Sequence, residues 1–211
     1  MTLGLAVVLS TFDILSTGMP ATLPHQNPTH TTKQPDAKKT QCLVDPTRFK
    51  FKNSEFEYSV YSPSHRILRE ITSVFPDLSI RQRKNLLIVP VIQRCEHDMV
   101  GATPEINKER DDKLELFINW GNRIVERLAS VGMWADITDP ASGFPIHSAA
   151  GPTPYPDVQA TQALTRYDVQ NVGCCHILLH PAWKSKIYPT TLFTTAPADI
   201  LVKVIDEIAS Q

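Results

Sequence analysis

Leu86-Leu87-Ile88-Val89-Pro90-Val91-Ile92 is an apolar run rich in β-branched residues, and the change of period after it decides the fold class. The run has the length of a strand. Pro90 within it predicts an edge position or a bulge, because proline has no N–H to give to a ladder. A polar turn, Glu96-His97-Asp98, comes next. From about Lys108 to Ser130 the period changes to helical. Leu114, Phe117, Ile118, Gly121, Val125 and Leu128 share one face, with Gly132 as the stop. Trp134 to Thr138 then reads as another strand, closed by the turn Asp139-Pro140-Ala141-Ser142-Gly143. Strands and helices mixed in this way predict an α+β fold, a sheet covered by helices.

On the N-terminal side, Ile67, Leu68, Ile71, Val74 and Phe75 form one helical stripe. Ser62-Pro63 supplies a cap and a proline at the first helical position, and Pro76 stops the helix. Glu57 to Tyr61 alternates as a short strand, and order is expected from near Phe49. Residues 19–45 are rich in Pro, Thr, His, Gln and Lys, a composition that buries too little surface to offset the entropy of ordering. The expected organisation is a disordered N-terminal tail, 1–45, and a single α+β domain, 46–211. Met1 to Gly18 carries an apolar run, Leu3 to Leu9, with no Lys or Arg ahead of it. It has neither the basic start of a secretory signal nor the length of a membrane span. Asp13 and the lack of arginine make it a poor mitochondrial transit peptide.

On the C-terminal side, a long loop rich in Pro and Ala is expected between Gly143 and Val172, and loops of that length usually carry function or are disordered. Two strands come after it, Gly173–His180 and Thr190–Thr195. The last helix is read as capped by Thr195, with Pro197 near its start and Ile200, Leu201, Val204, Ile205 and Ile208 as its stripe. With 211 residues and 42% hydrophobic content, the chain can bury one sizeable core. Its net charge of −1 offers no footprint for nucleic acid or an anionic membrane. The four cysteines, at 42, 95, 174 and 175, form no Cys-x-x-Cys pair and no disulfide framework, which points to a reducing compartment.

The sharpest chemical feature is Val172-Gly173-Cys174-Cys175-His176-Ile177-Leu178-Leu179-His180. Alternation along a strand puts Cys175, Ile177 and Leu179 on one apolar face and Cys174, His176 and Leu178 on the other, with His180 at its end. Cys174 is then the thiol on the more polar side, and Gly173 before it permits close approach by a partner or ligand. His176, on the same face, is a candidate to favour the thiolate when protonated, or an ordinary strand-edge histidine. The alternative for the pair is two core cysteines in a buried strand, since cysteine is among the most buried residue types. The motif is not the Cys-x-x-Cys-His of haem attachment. His180 lies about 20 Å from Cys174 along an extended strand, too far to share a zinc ion. Glu96, His97 and Asp98 read as a solvated turn more readily than as metal ligands. No Gly-rich phosphate loop, Ser-His-Asp order or His-Glu-x-x-His pattern is present.

From about Tyr58 to Pro197 the sequence resembles the CblD family of cobalamin-trafficking proteins, named for the methylmalonic aciduria and homocystinuria type D complementation group. The pieces that carry the resemblance are Leu86-Leu87-Ile88-Val89, Asp98-Met99, Leu116-Phe117-Ile118-Asn119 and Trp134-Ala135-Asp136-Ile137-Thr138-Asp139-Pro140-Ala141-Ser142-Gly143, followed by Gly173-Cys174-Cys175, His180 with Trp183, and Leu192-Phe193-Thr194. The resemblance implies a nitroreductase-like fold that has lost flavin binding. It implies a non-enzymatic adaptor that holds no cobalamin alone and joins the CblC protein, which carries it. The first cysteine of Gly-Cys-Cys, here Cys174, would supply a thiolate to the cobalt. Gly173 and His176 are supporting candidates on the strand reading alone; His176 stands where the family has a different basic residue, so the resemblance carries over no role for it. Cobalamin would pass towards methionine synthase in the cytosol and methylmalonyl-CoA mutase in mitochondria, although no long family-like leader is recognisable at the N-terminus. Two other classes remain: a flavin-dependent reductase of the nitroreductase type, which flavin absorbance would reveal, and a plain interaction domain with structural cysteines.

Overall fold

The computed structural model describes residues 39–173 and 175–211. In chain order the elements are β1 (Gln41–Phe51), β2 (Ser54–Ser62), α1 (His65–Val74), α2 (Ile80–Asn85), β3 (Leu87–Arg94), α3 (Pro104–Ala129), β4 (Ala135–Ile137), α4 (Asp157–Thr165), β5 (Asp168–Val172), β6 (Cys175–Leu179), β7 (Ile187–Thr194) and α5 (Ala198–Ala209). Five strands form one antiparallel sheet in the order β1-β2-β3-β7-β4, and β5 with β6 form a separate hairpin. The mixed architecture of antiparallel sheet and helices agrees with the α+β expectation. Among the described residues, no helix is long and apolar enough to cross a membrane.

β3 is the central strand, which corrects the edge expectation for Pro90. Leu87, Val89 and Val91 enter the core built by α3 and α5, while Ile88 and Ile92 join the clusters on the opposite face. A run that is apolar at every position fits a strand buried on both sides. Pro90 is taken in without a bulge. Pairing with β7 runs unbroken through Pro90↔Thr191, and pairing with β2 holds at Tyr58↔Val91 and resumes in the same register at Tyr61↔Ile88.

α3 starts at Pro104, earlier than expected, because Thr103 caps it by accepting from the Ile106 N–H and proline takes the first turn. Its buried line is Phe117, Trp120, Gly121, Ile124 and Leu128, so Leu114 and Val125 sit at its flanks. A Cβ at Gly121 would meet Ile137 Cδ1 at 2.7 Å, so glycine here sets how closely α3 lies on β4. Gly132 comes after the last turn, and the Met133 N–H closes it on the Leu128 carbonyl at 3.0 Å.

Several boundaries differ from the sequence reading. The cap of α1 is Ser64, with Pro63 ahead of it, and Ser62 ends β2. Pro197 precedes α5 without a side-chain cap, and Thr195 instead bonds the Trp134 carbonyl. The expected loop before Val172 contains α4 and β5. α4 buries only Thr161 and Leu164, too few positions to show a period in sequence. β1 begins at Gln41, inside the stretch expected to be tail. Its residues are mostly exposed and are held by backbone pairing with β2, which composition does not reveal. Residues 1–38, on which the rest of that expectation falls, lie outside the described residues.

Candidate functional site

The β5–β6 hairpin carries the Gly-Cys-Cys segment. Val172 pairs with Cys175, and Gly173 enters the turn between the two strands. Gly173 has φ +61 and open space around a notional Cβ, as two-residue hairpin connections favour. This corrects its expected place within a strand: Gly173 serves the turn. The second strand starts only at Cys175. Cys174, and the expected division of the two thiols between opposite faces, lie outside the described residues.

Among the remaining side chains, Leu178 departs from the expected polarity of β6. Leu178 is buried and Ile177 and Leu179 are half-buried, while His176, opposite Asn171 and close to the turn, is exposed. The reason is the docking of the hairpin. Its Leu178 face packs with Ile92, Trp183 and Ile187 against the sheet, with Val158, Tyr167 and Val169 around them. At the base, Leu178 and His180 are therefore buried, whereas Asn171, Gly173 and His176 near the turn are exposed.

A single buried carboxylate closes the base. Glu57 Oε1 accepts from Tyr167 Oη at 2.7 Å and from His180 Nε2 at 2.9 Å. Tyr167 immediately precedes β5 and His180 immediately follows β6. Glu57 Oε2 takes Arg48 Nε at 3.3 Å from the directly opposite position on β1. His180 Nδ1 accepts the backbone N–H of Ala182 at 3.1 Å and of Trp183 at 3.0 Å, so the ring proton sits on Nε2 and points at Glu57. The ring stacks on Trp183 at 4.3 Å, and the Arg48 guanidinium lies over the same indole at 4.9 Å. Burial pushes the Glu57 carboxyl up, but the donors His180, Tyr167 and Arg48 outweigh it and hold the group below the usual carboxylate range. Burial and the Glu57 charge push the Tyr167 phenol well above its ordinary value.

Sequence reading gave no role here to Glu57, Tyr167 or Arg48, and noticed His180 as a strand end and, with Trp183, as a piece of the family resemblance. The available signal was a charged residue between the aromatic residues Phe56 and Tyr58, within a strand.

The Trp134–Gly143 segment is structural. Asp136 is fully buried and accepts from the N–H groups of Ile137, His147 and Ser148 at 2.7, 3.0 and 2.7 Å, folding the next loop back over β4. Asp139 accepts from Ala141 N–H and from Ser142 Oγ in the turn. The Glu96-His97-Asp98 turn is tied to α3, with Glu109 accepting from both N–H groups at 96 and 97 and contacting His97 Nδ1 at 2.7 Å. Among the described residues, no group of three or more His, Cys, Asp or Glu side chains is placed to hold a metal ion. Burial pushes the Cys95 thiol up to about 12, and burial with a nearby Asp45 raises that of exposed Cys42. Neither has the depressed pKa of a thiolate donor.

A family model described as "Methylmalonic aciduria and homocystinuria type D protein" matches residues 12–205. Among curated proteins, "Cobalamin trafficking protein CblD" of Rattus norvegicus is 30% identical over 71% of this chain and 49% of its own length. The proteins of the same name from Mus musculus and Homo sapiens are 29% and 28% identical over the same shares. The chain thus spans about half the length of the curated relatives it matches.

Proposed function

This chain belongs to the methylmalonic aciduria and homocystinuria type D protein family, and from that premise we propose that it is a cobalamin-trafficking adaptor acting through the thiol of Cys174. The observation that carries the reading is the sequence Gly173-Cys174-Cys175 together with a hairpin that is buried at Leu178 and His180 and exposed at Asn171, Gly173 and His176. A sulfur at such a turn can approach a cobalt atom held in another protein without disturbing the core that supports it.

The chemistry asks little else of the chain. The Cys174 thiol would give its proton to solvent, and its sulfur lone pair would bond the partner-held cobalt at a vacant position or in place of a departing water. No electron needs to be supplied. An ordinary thiol has a pKa of about 8.5, so ionisation at neutral pH costs roughly 2 kcal/mol, which cobalt ligation offsets. His176, exposed beside the turn, favours the thiolate when protonated. The proposed partner is the CblC protein carrying the cobalamin, and the isolated chain holds neither cobalamin nor flavin. The proposed destinations are methionine synthase in the cytosol and methylmalonyl-CoA mutase in mitochondria. We read the five-stranded sheet with helices on both faces as nitroreductase-like in descent.

The test is the visible spectrum of cobalamin-loaded CblC mixed with this protein. A thiolate–cobalt band should appear with the wild type and vanish with Cys174→Ser, since a serine hydroxyl is not ionised at neutral pH. Loss of the band in Cys175→Ser with its retention in Cys174→Ser would reassign the ligand. No band from the wild type would end the reading.

A further inference from the structure

Resting on that reading, we propose that Glu57 is a positioning residue: its carboxylate clasps both legs of the β5–β6 hairpin and thereby sets where the turn entered at Gly173 stands relative to a partner-held cobalt. The hairpin belongs to neither edge of the five-stranded sheet. Its attachment is the small apolar cluster around Leu178 and Trp183, together with the side-chain bonds that Tyr167 and His180 make to one oxygen of Glu57. Those two donors flank the hairpin, one residue outside each strand. One acceptor thus receives the two points at which the hairpin leaves the body of the protein.

The leverage comes from strand geometry. Five residues separate the base from the turn, roughly 16 Å at the usual rise. A tilt of about 5° at the base then carries the turn about 1.4 Å, a displacement that counts when two reacting atoms must be held in bonding geometry. Glu57 itself is fixed from behind. It sits on β2, with Arg48 opposite on β1 and Ile92 opposite on β3. The Nδ1 atom of His180 is held by two backbone N–H groups, which orient its Nε2 donor. His180 is therefore an oriented strut and has no free nitrogen for proton transfer. Of the groups facing Glu57, Arg48 brings a charge, and the tyrosine and imidazole bring neutral donors.

Two variants test this in the intact chain. Tyr167→Phe removes one leg's bond and leaves the ring. Glu57→Gln keeps the shape but replaces the carboxylate that serves both legs with a neutral amide. Both should speed amide hydrogen exchange in β5 and β6 at least fivefold more than in β3 and α3, where exchange follows only the change in global stability. At saturating cobalamin-loaded CblC, both should slow the thiolate–cobalt band at least fivefold while the affinity for CblC stays within twofold. A purely structural role would leave the rate of band formation unchanged once the complex is saturated, and that result would overturn the proposal. Wild-type hairpin exchange in both variants would overturn it as well. If the wild type gives no band, the functional reading fails, and hairpin exchange alone then decides whether the clasp exists.

Discussion

At the scale of single residues, the acids on the hairpin side of the sheet are tuned in opposite directions. Asp157, at the start of α4, accepts from Thr191 Oγ1 at 2.5 Å, and burial pushes its carboxyl up to about 7 despite that bond, with the charge of Asp139 adding to the rise. The folded chain therefore binds this proton more tightly than the unfolded chain does, whose carboxyl titrates at about 3.9. The penalty builds as pH rises from about 4 to 7 and is complete above that. Asp157→Asn keeps an acceptor for Thr191 and cannot ionise. It should stabilise the protein by about 1–3 kcal/mol at pH 8, after a small loss of favourable charge at the helix start. The gain should shrink at pH 5 and vanish below pH 4, as denaturant unfolding at the three pH values will show. An equal gain at every pH would mean that the charge is not what the site resists.

At the scale of elements, the hairpin depends on its turn as well as on its base. Gly173 holds φ +61, and nothing lies within 4 Å of a Cβ placed there. Gly173→Ala therefore meets no steric obstacle, and its cost is that of the left-handed backbone alone, about 1 kcal/mol. That cost falls on β5 and β6, which pair only with each other, so it should appear as faster exchange at Val172 and Cys175 with little change in the midpoint of global unfolding. A drop in global stability as large as the local one would mean that the hairpin unfolds only together with the sheet. α3 presents the reverse case. Its face is fixed by Trp120 and Ile124 deep in the main core, and exchange there should report global unfolding.

At the scale of the whole molecule, Glu57 and Glu109 set the acid limit. Burial opposes both, but hydrogen bonds hold each carboxyl below its ordinary value. For Glu57 the donors are His180, Tyr167 and Arg48, and for Glu109 they are the turn at Glu96 and His97. A carboxyl with a depressed folded-state pKa contributes its stability above the unfolded value, near 4.3, and loses it as pH falls through the folded one. The protein should therefore lose stability below about pH 4, first by loosening the hairpin base and the turn before α3. Glu57→Gln should be less stable than the wild type at pH 7 and should lose less on going from pH 5 to pH 3. Denaturant midpoints across that range measure the difference, and parallel curves would show that Glu57 does not carry the linkage.

The sequence by itself determined the α+β class, the helical stripes of α1 and α5, the turn at Asp139-Pro140-Ala141-Ser142-Gly143 and the family, because those depend on local period, on turn chemistry and on short ordered motifs. It also singled out Gly173-Cys174-Cys175. Only the tertiary structure decided that β3 is central, since an apolar run with a proline suits an edge or an interior strand until its neighbours are known. The tertiary structure likewise turned Leu178 and His180 inward, because the burial of a hairpin face depends on what docks against it. The clasp on Glu57 belongs to the same class. Its donors lie 110 and 123 residues away in the chain, and no local pattern joins a carboxylate in one strand to a phenol and an imidazole that distant until the sheet and the hairpin have folded together.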